Sequence, residues 1–401
     1  MKTAVIFGIT GMDGSYLADL LLSKNYKVVG VKRRSSSDNE ERIRHLKGNK
    51  DYRTLEGDLT DYASLVQVFK SVPEVNEVYN LAAQSHVGTS FKQPGLTWDV
   101  TGKGCINILQ CLVDLDMKHV KFYQASSSEM FGAAYDTKSD YRNTILSHPY
   151  GRIPPTADHI DQSKMSESKF LEAYQEAKIH DEQVQGTIIT KYQDENTKFL
   201  PQSPYAIAKC SAHMSVRLFR EAYGIHGSCG ILFNHEGARR GENFVTRKIT
   251  KWIGEFNRWM MDNHDDTLST LTFSEDYIHA SNCRRFSKLR LGNLEAKRDW
   301  GHAKDYVRAM WMMLQKEFAD DYVICTGETR SVREFLDFAF GVIQIKDWSN
   351  LVVVDPEFYR PAEVDILLGD CAKAKRNLAW EPEFTFQQLV EEMVHNDLHE
   401  K

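Results

Sequence analysis

Thr3-Ala-Val-Ile-Phe7-Gly8-Ile-Thr10-Gly11-Met12-Asp13-Gly14-Ser-Tyr-Leu17 is the stretch that decides how this chain folds. Ala4 to Phe7 is a short apolar run that ends in glycines, and from Tyr16 to Leu22 the apolar residues take helical spacing. The glycines between them stand as G-x-x-G-x-x-G. Such a turn lets the backbone bend tightly and approach a pyrophosphate, which then rests on the N-terminus of the following helix. Glycine spacing alone is common. A strand before it and a helix after it make it specific.

Outward from this unit, Lys27 to Val31, Tyr52 to Leu55, Glu77 to Ala83 and Lys121 to Ala125 read as further strands, and a helical stretch covers about Val100 to Leu115. Strands alternating with helices predict a parallel sheet covered on both faces. The expected fold is α/β: a Rossmann-type doubly wound parallel sheet with a smaller C-terminal α/β substrate domain. Residues 1–132 and about 199–233 make the dinucleotide-binding part. Residues 133–198 break the pattern, with Pro149, Pro154 and Pro155 early and a charged helical piece near Glu167 to Lys178. That is long for a connection inside a compact domain, and it is expected to be an insertion near the active-site mouth. Pro204 to Tyr223 is a strong amphipathic helix, followed by an apolar strand at Ser228 to Phe233. Residues 234–401 are assigned mainly to the substrate domain, with segments returning to the first. They contain a second insertion at about 255–288, where an aromatic helix (Trp252, Phe256, Trp259) turns polar at Asp262 and shows no periodicity through Arg285. Strands at Tyr322 to Cys325 and Leu351 to Val354 and helices at Val332 to Phe340 and Phe386 to Asn396 complete the pattern.

The chain has 401 residues, 42% hydrophobic and 26% charged, which is ordinary globular composition. A formal charge of -6, spread along the chain, excludes the basic footprint of a nucleic-acid binder. Lys32-Arg33-Arg34 and Arg239-Arg240 suit small anion sites or solvated surface. The seven cysteines form no C-x-x-C and no Cys/His ligand spacing, so no metal is expected, and reduced buried thiols in a cytoplasmic protein are. With a strand already at Thr3, no leader is expected ahead of it. No apolar run reaches the roughly 20 residues that a membrane helix needs.

The end of the second strand bears on the cofactor. An acidic residue there would accept the ribose hydroxyls of NAD, whereas a guanidinium matches a 2′-phosphate. Here Arg33-Arg34 stand with no acid before Asp38, which favours NADP; two arginines at a strand end can also be plain surface. Asp58 is placed to accept a bond from adenine, although an Asp in such a turn needs no ligand. Tyr205-Ala-Ile-Ala-Lys209 puts a phenol and an ammonium one helical turn apart. A cation beside a phenol lowers its pKa, which makes Tyr205 a base. Ser127, past the fifth strand, is the hydroxyl expected to hold the reacting oxygen. These features together form the short-chain dehydrogenase pattern. Glu129 goes beyond it: a second acid/base beside the cofactor allows an elimination as well as a hydride transfer, whereas its bland alternative is a surface Glu at a strand end.

With these residues in view the chain resembles the GDP-mannose 4,6-dehydratases of the extended short-chain dehydrogenase superfamily. The resemblance runs from end to end outside the two irregular stretches. Its more specific segments are Asn234-His-Glu236, Arg239-Arg-Gly-Glu242, Arg298-Asp-Trp-Gly-His302 and Arg360-Pro-Ala-Glu-Val364. It implies that Tyr205, Ser127 and Lys209 oxidise C4 of GDP-mannose with NADP, and that Glu129 takes the C5 proton as the C6 hydroxyl leaves as water. It also implies cofactor contacts from Gly8, Thr10, Gly11, Met12, Asp13, Gly14, Arg34, Asp58, Leu59, Leu81, Ala83, Ser85, Tyr205, Lys209, His235 and Arg240. Substrate contacts are implied for Ser85, Asn234, Val245, Lys248, Arg298, Arg360 and Glu363, and a homotetramer or homodimer is implied as the assembly. Ser127 replaces the family's usual Thr, Leu96 a usual Tyr, and Gly237-Ala238 a usual Ser-Pro, which should loosen the turn before Arg239. The rival readings are a reductase or epimerase on a related nucleotide-sugar, a bifunctional dehydratase/reductase, and a non-catalytic NADP-binding regulator.

Overall fold

The structure, a computed structural model, describes residues 1–36, 38–134, 136–138, 190–263, 268–280, 282, 284–359 and 367–400. Strand β1 (Thr3–Phe7) is buried at every position. Ala4 and Ile6 join one apolar cluster, Val5 and Phe7 another. A strand apolar on both faces belongs inside a sheet covered on both sides. Along the chain follow β2 (Lys27–Lys32), β3 (Tyr52–Glu56), β4 (Glu77–Asn80), β5 (Lys121–Ala125), β6 (Gly227–Leu232), β7 (Asn234–Glu236), β8 (Trp300–His302) and β9 (Asp321–Ile324). All but β7 and β8 form one seven-stranded sheet in the order β9-β6-β5-β4-β1-β2-β3, and every pairing in it is parallel. The chain reverses its direction of travel across the sheet between β1 and β4, the switch point where such sheets hold ligands at the strands' C-terminal ends. β7 and β8 pair with each other, also in parallel.

The longer helices are α1 (Met12–Ser23), α2 (Tyr62–Lys70), α3 (Gly104–Asp114), α4 (Pro204–Tyr223), α5 (Val245–Asp262), α6 (Ala303–Gln315), α7 (Val332–Val342) and α8 (Phe386–His399). Residues of α1 and α6 complete one of the two sheet-face clusters, and residues of α2, α3 and α4 the other. A third core gathers α5, α7 and α8, with Trp252 stacked on Phe256 at 4.9 Å.

The fold class is the one expected from the sequence, but element ends differ. β4 stops at Asn80 rather than Ala83, because after Leu81 N donates to the Phe7 carbonyl the chain leaves the ladder. The stretch at 255–288 is also more regular than its pattern suggests. After α5, Thr272–Phe273, Tyr277–His279 and Arg285–Ser287 make a three-stranded antiparallel sheet. Strands of two or three residues are too short to display a period of two.

Tyr135–Tyr192 forms a compact unit of its own, and residues 1–134 with 193–401 form the other. Within the smaller unit, Asp136–Lys138 and Thr190–Tyr192 pair antiparallel. Within the larger, Gln193 Nε2 donates to the Ala134 carbonyl at 2.7 Å, so the chain leaves and returns at one point, as an insertion does. The helical piece expected near 167–178 lies outside the described residues. Among the described residues no helix is long and apolar enough to cross a membrane.

Candidate active site

At the end of β1, Gly8 takes a φ of 83°, in the left-handed region open to glycine. Gly11 N donates to the Gly8 carbonyl at 3.0 Å. A Cβ on Gly14 would lie 2.3 Å from that same carbonyl oxygen, so any side chain there would force loop and helix apart. No side chain caps α1, whose cap position is Gly11. A bare helix N-terminus with approachable backbone suits a pyrophosphate, and these residues fit a dinucleotide.

The catalytic candidates converge beside β5. Ser203 caps α4 by accepting from Ala206 N at 3.1 Å, and Pro204 takes the first helical position. This start sets Tyr205 and Lys209 one turn apart, both buried. Lys209 Nζ donates to the Ala125 carbonyl at 2.6 Å and lies 5.7 Å from the centre of the Tyr205 ring. Ser127 hydrogen-bonds the Tyr205 phenol, and its Oγ accepts from Glu129 N at 3.2 Å. Glu129 is half-buried, with its carboxylate close enough to act on the phenol.

One expectation is corrected here. In the protein alone the Tyr205 phenol is held above its ordinary pKa, not below it: burial dominates, the Ser127 bond pulls the other way, and Glu129 adds repulsion. Burial also brings Lys209 down to about 8. Lys209 directs its short bond at the Ala125 carbonyl and not at the phenol, and burial of the phenol outweighs the nearby charge.

Around the glycine loop, His235 Nε2 donates to Asp13 Oδ2 at 2.9 Å. Arg240 pairs with Glu236 at 2.9 Å, its guanidinium lying 3.5 Å from the centre of the Phe244 ring. Thr10 and Met12 belong to the loop and the start of α1. Leu81 and Ala83 are half-buried and Ser85 is exposed, all in the connection after β4. Asp58 Oδ1 accepts from Thr60 N at 2.9 Å and Thr60 Oγ1 at 2.7 Å, so part of that carboxylate shapes its own turn. Leu59 is buried. Arg34 is exposed just past β2. Asp38, the first acid after it, bonds Arg44 at 3.1 Å.

Of the substrate candidates, Asn234 is half-buried on β7, and Val245 is exposed at the start of α5. Lys248, one turn on, holds its Nζ 3.7 Å from the centre of the Phe358 ring. Arg298 is buried and donates to the Lys297 carbonyl at 2.8 Å. Arg360 and Glu363 lie outside the described residues. Leu96 is exposed. The turn at Gly237-Ala238 is closed by Arg240 N donating to the Gly237 carbonyl at 2.9 Å.

A family model described as GDP-mannose 4,6 dehydratase matches residues 5–180 and 263–393. The chain belongs to the GDP-mannose 4,6-dehydratase family. A broader model, the NAD dependent epimerase/dehydratase family, matches residues 181–325. GDP-mannose 4,6 dehydratase 1 of Arabidopsis thaliana is 40% identical over 406 residues, covering 99% of this chain and 90% of the relative. The Homo sapiens GDP-mannose 4,6 dehydratase is 40% identical over 420 residues, covering 99% and 91%. In three dimensions the chain is similar to the dTDP-glucose 4,6-dehydratase of Bacillus anthracis, solved in complex with NAD, with a TM-score of 0.68 at 18% identity over 99% of this chain and 96% of that one.

In this family member two residues, Arg42 and Asp299, hold loops by bonds between separate segments that no local pattern shows, although Asp299 lies in a segment that carries the resemblance. Arg42 donates to the Arg239 carbonyl at 2.7 Å and to the Thr10 carbonyl at 3.4 Å, bracing the glycine loop. Asp299 accepts from Thr326 N at 2.8 Å, Thr326 Oγ1 at 2.6 Å, Gly327 N at 2.9 Å and Gly369 N at 3.3 Å. Burial outweighs these bonds and raises its pKa to about 6. Asp299, next in sequence to Arg298, thus ties residues 326, 327 and 369 together.

Proposed function

We propose that this chain dehydrates GDP-mannose to GDP-4-keto-6-deoxymannose, with NADP as a recycled hydride carrier. The observation that supports it most is Glu129 gathered with Ser127, Tyr205 and Lys209 beside β5. Tyr205 takes the proton of the C4 hydroxyl, Ser127 holds that oxygen, and Lys209 keeps a positive charge near the phenol. Glu129 removes the C5 proton, made acidic by the new C4 ketone, and passes it to the C6 hydroxyl, which departs as water; C5 regains a proton, matched by the one that Tyr205 took, when the hydride reaches C6. When bound, NADP supplies a hydride acceptor at C4 that gives the hydride back at C6, and its positive ring favours the phenolate. The net change is the loss of water, which is hydro-lyase chemistry. A plain reductase or epimerase has no task for Glu129, and a regulator that only binds cofactor has no task for the whole set.

The cofactor is assigned to Gly8, Thr10, Gly11, Met12, Asp13, Gly14, Asp58, Leu59, Leu81, Ala83, Ser85, Tyr205, Lys209, His235 and Arg240, with Arg34 on the 2′-phosphate. Preference for NADP over NAD is supported by Arg34 past β2 and by the engagement of Asp38 with Arg44. The nucleotide-sugar is assigned to Ser85 and, in the C-terminal domain, to Asn234, Val245, Lys248, Arg298, Arg360 and Glu363. A cytoplasmic homotetramer or homodimer is the assembly we propose. The test incubates the protein with GDP-mannose and a catalytic amount of NADP+. The expected product is a 4-keto-6-deoxy sugar nucleotide, seen by its absorbance in alkali. Product from another nucleotide-sugar with none from GDP-mannose contradicts the substrate assignment.

A further inference from the structure

We propose that Asp13 is a positioning residue: its carboxylate clamps the glycine-rich loop to β7 through a protonated His235, and the clamp opens when that proton leaves. His235 Nδ1 lies 2.8 Å from the Phe233 carbonyl and Nε2 lies 2.9 Å from Asp13 Oδ2. A carbonyl and a carboxylate only accept, so both ring nitrogens carry hydrogen and the ring is an imidazolium. The ring is fixed from the side by stacking on Tyr306 at 4.5 Å. The bond joins residues 222 positions apart. β7 thereby becomes a junction: Asn234 is assigned to substrate, His235 holds the cofactor loop, and Glu236 holds Arg240 and accepts from Thr246 Oγ1 at 2.8 Å.

Asp13 lies in the first turn of α1, the helix end that would receive the pyrophosphate. An uncompensated carboxylate there repels a second anion. Paired with an imidazolium it is neutralised. Besides His235, Asp13 faces Arg240, Lys209, Tyr205, Tyr123 and Glu236. His235 faces Asp13, Arg240 and Glu236. Burial disfavours the charged ring, but Asp13 and its bond outweigh that and raise the His235 pKa. A raised histidine pKa means that the clamp is complete below 6.5 and is lost as pH rises through the folded-state value.

The inference rests on the NADP assignment of the loop. Its test follows the His235 ring by NMR in the protein alone and measures the Kd of NADP+ by calorimetry at pH 6.5 and pH 9. His235 should titrate above 6.5 in the native protein and below 6.5 in Asp13→Asn, where burial acts unopposed. Asp13→Asn should weaken NADP+ binding about tenfold at pH 6.5, and at pH 9, where the native Asp13 carboxylate is left uncompensated, the native protein should bind no more tightly than the variant. If Asp13→Asn does not fold, His235→Gln serves for the same Kd comparison, since it removes the charge and keeps a donor. A native His235 that titrates below 6.5, or a variant that binds NADP+ as tightly as the native protein at pH 6.5, overturns the clamp. The titration needs no cofactor and neither measurement needs a sugar nucleotide, so failure of the GDP-mannose assay leaves the clamp standing and failure of the clamp leaves that assay standing.

Discussion

Two carboxylates influence Tyr205, and their surroundings give them different work. Asp13 is engaged by His235 at 2.9 Å. Glu129 stands half-buried past the end of β5, beside Ser127. That is why we propose Glu129 as the acid/base for C5. Glu129→Gln should slow water loss by about 10²- to 10⁴-fold while oxidation at C4 continues, so that reduced cofactor accumulates and is seen by its absorbance. A variant that dehydrates at the native rate removes Glu129 from the chemistry. Tyr205 and Lys209 were legible in the sequence because their spacing lies within one helical turn. The raised pKa of Tyr205 was not, because burial on α4 depends on the whole fold. Nor were Arg42 and the bond between Asp13 and His235, whose partners are about two hundred positions away.

At the scale of elements, α8 is pinned to β8 by charge. His302 Nδ1 accepts from Lys304 N at 3.0 Å, so its Nε2 carries the proton, and that nitrogen lies 3.1 Å from Glu392 Oε2. Lys304 Nζ adds a second contact at 3.0 Å. The His302 bond, against the opposing cost of burial and with help from Lys304, brings the Glu392 pKa down to about 2. A carboxylate lowered on folding stabilises above its ordinary value of 4.5 and loses that stabilisation as pH falls from there toward 2. Glu392→Gln should therefore lower the Tm by a few degrees at pH 7 and flatten the decline of Tm between pH 4.5 and 2. An unchanged Tm at pH 7 contradicts the pinning. Long elements such as α4 and α8 showed their period in the sequence. The small antiparallel sheet at 272–287 did not, because its identity rests on Phe286 packing against Trp252, Phe256 and Trp259 on α5, which is a contact between segments and not a pattern within one.

For the molecule as a whole, the parallel sheet was legible because each strand and helix carries its own signal and the glycine loop fixes where the order begins. What remained hidden was how separate segments meet: β7 against β8, and Asp299 holding residues 326, 327 and 369 in place. The expectation that residues 133–198 lie near the active-site mouth falls largely outside the described residues. The central claim is that one site, with Glu129 added to a Ser-Tyr-Lys set, moves a hydride within one sugar and loses water. GDP-mannose deuterated at C4, with a catalytic amount of NADP+, tests it most directly. The account predicts that deuterium appears at C6 of the keto product, with no net change in the cofactor. Deuterium left in reduced cofactor, with NADP+ consumed in proportion to product, would contradict it.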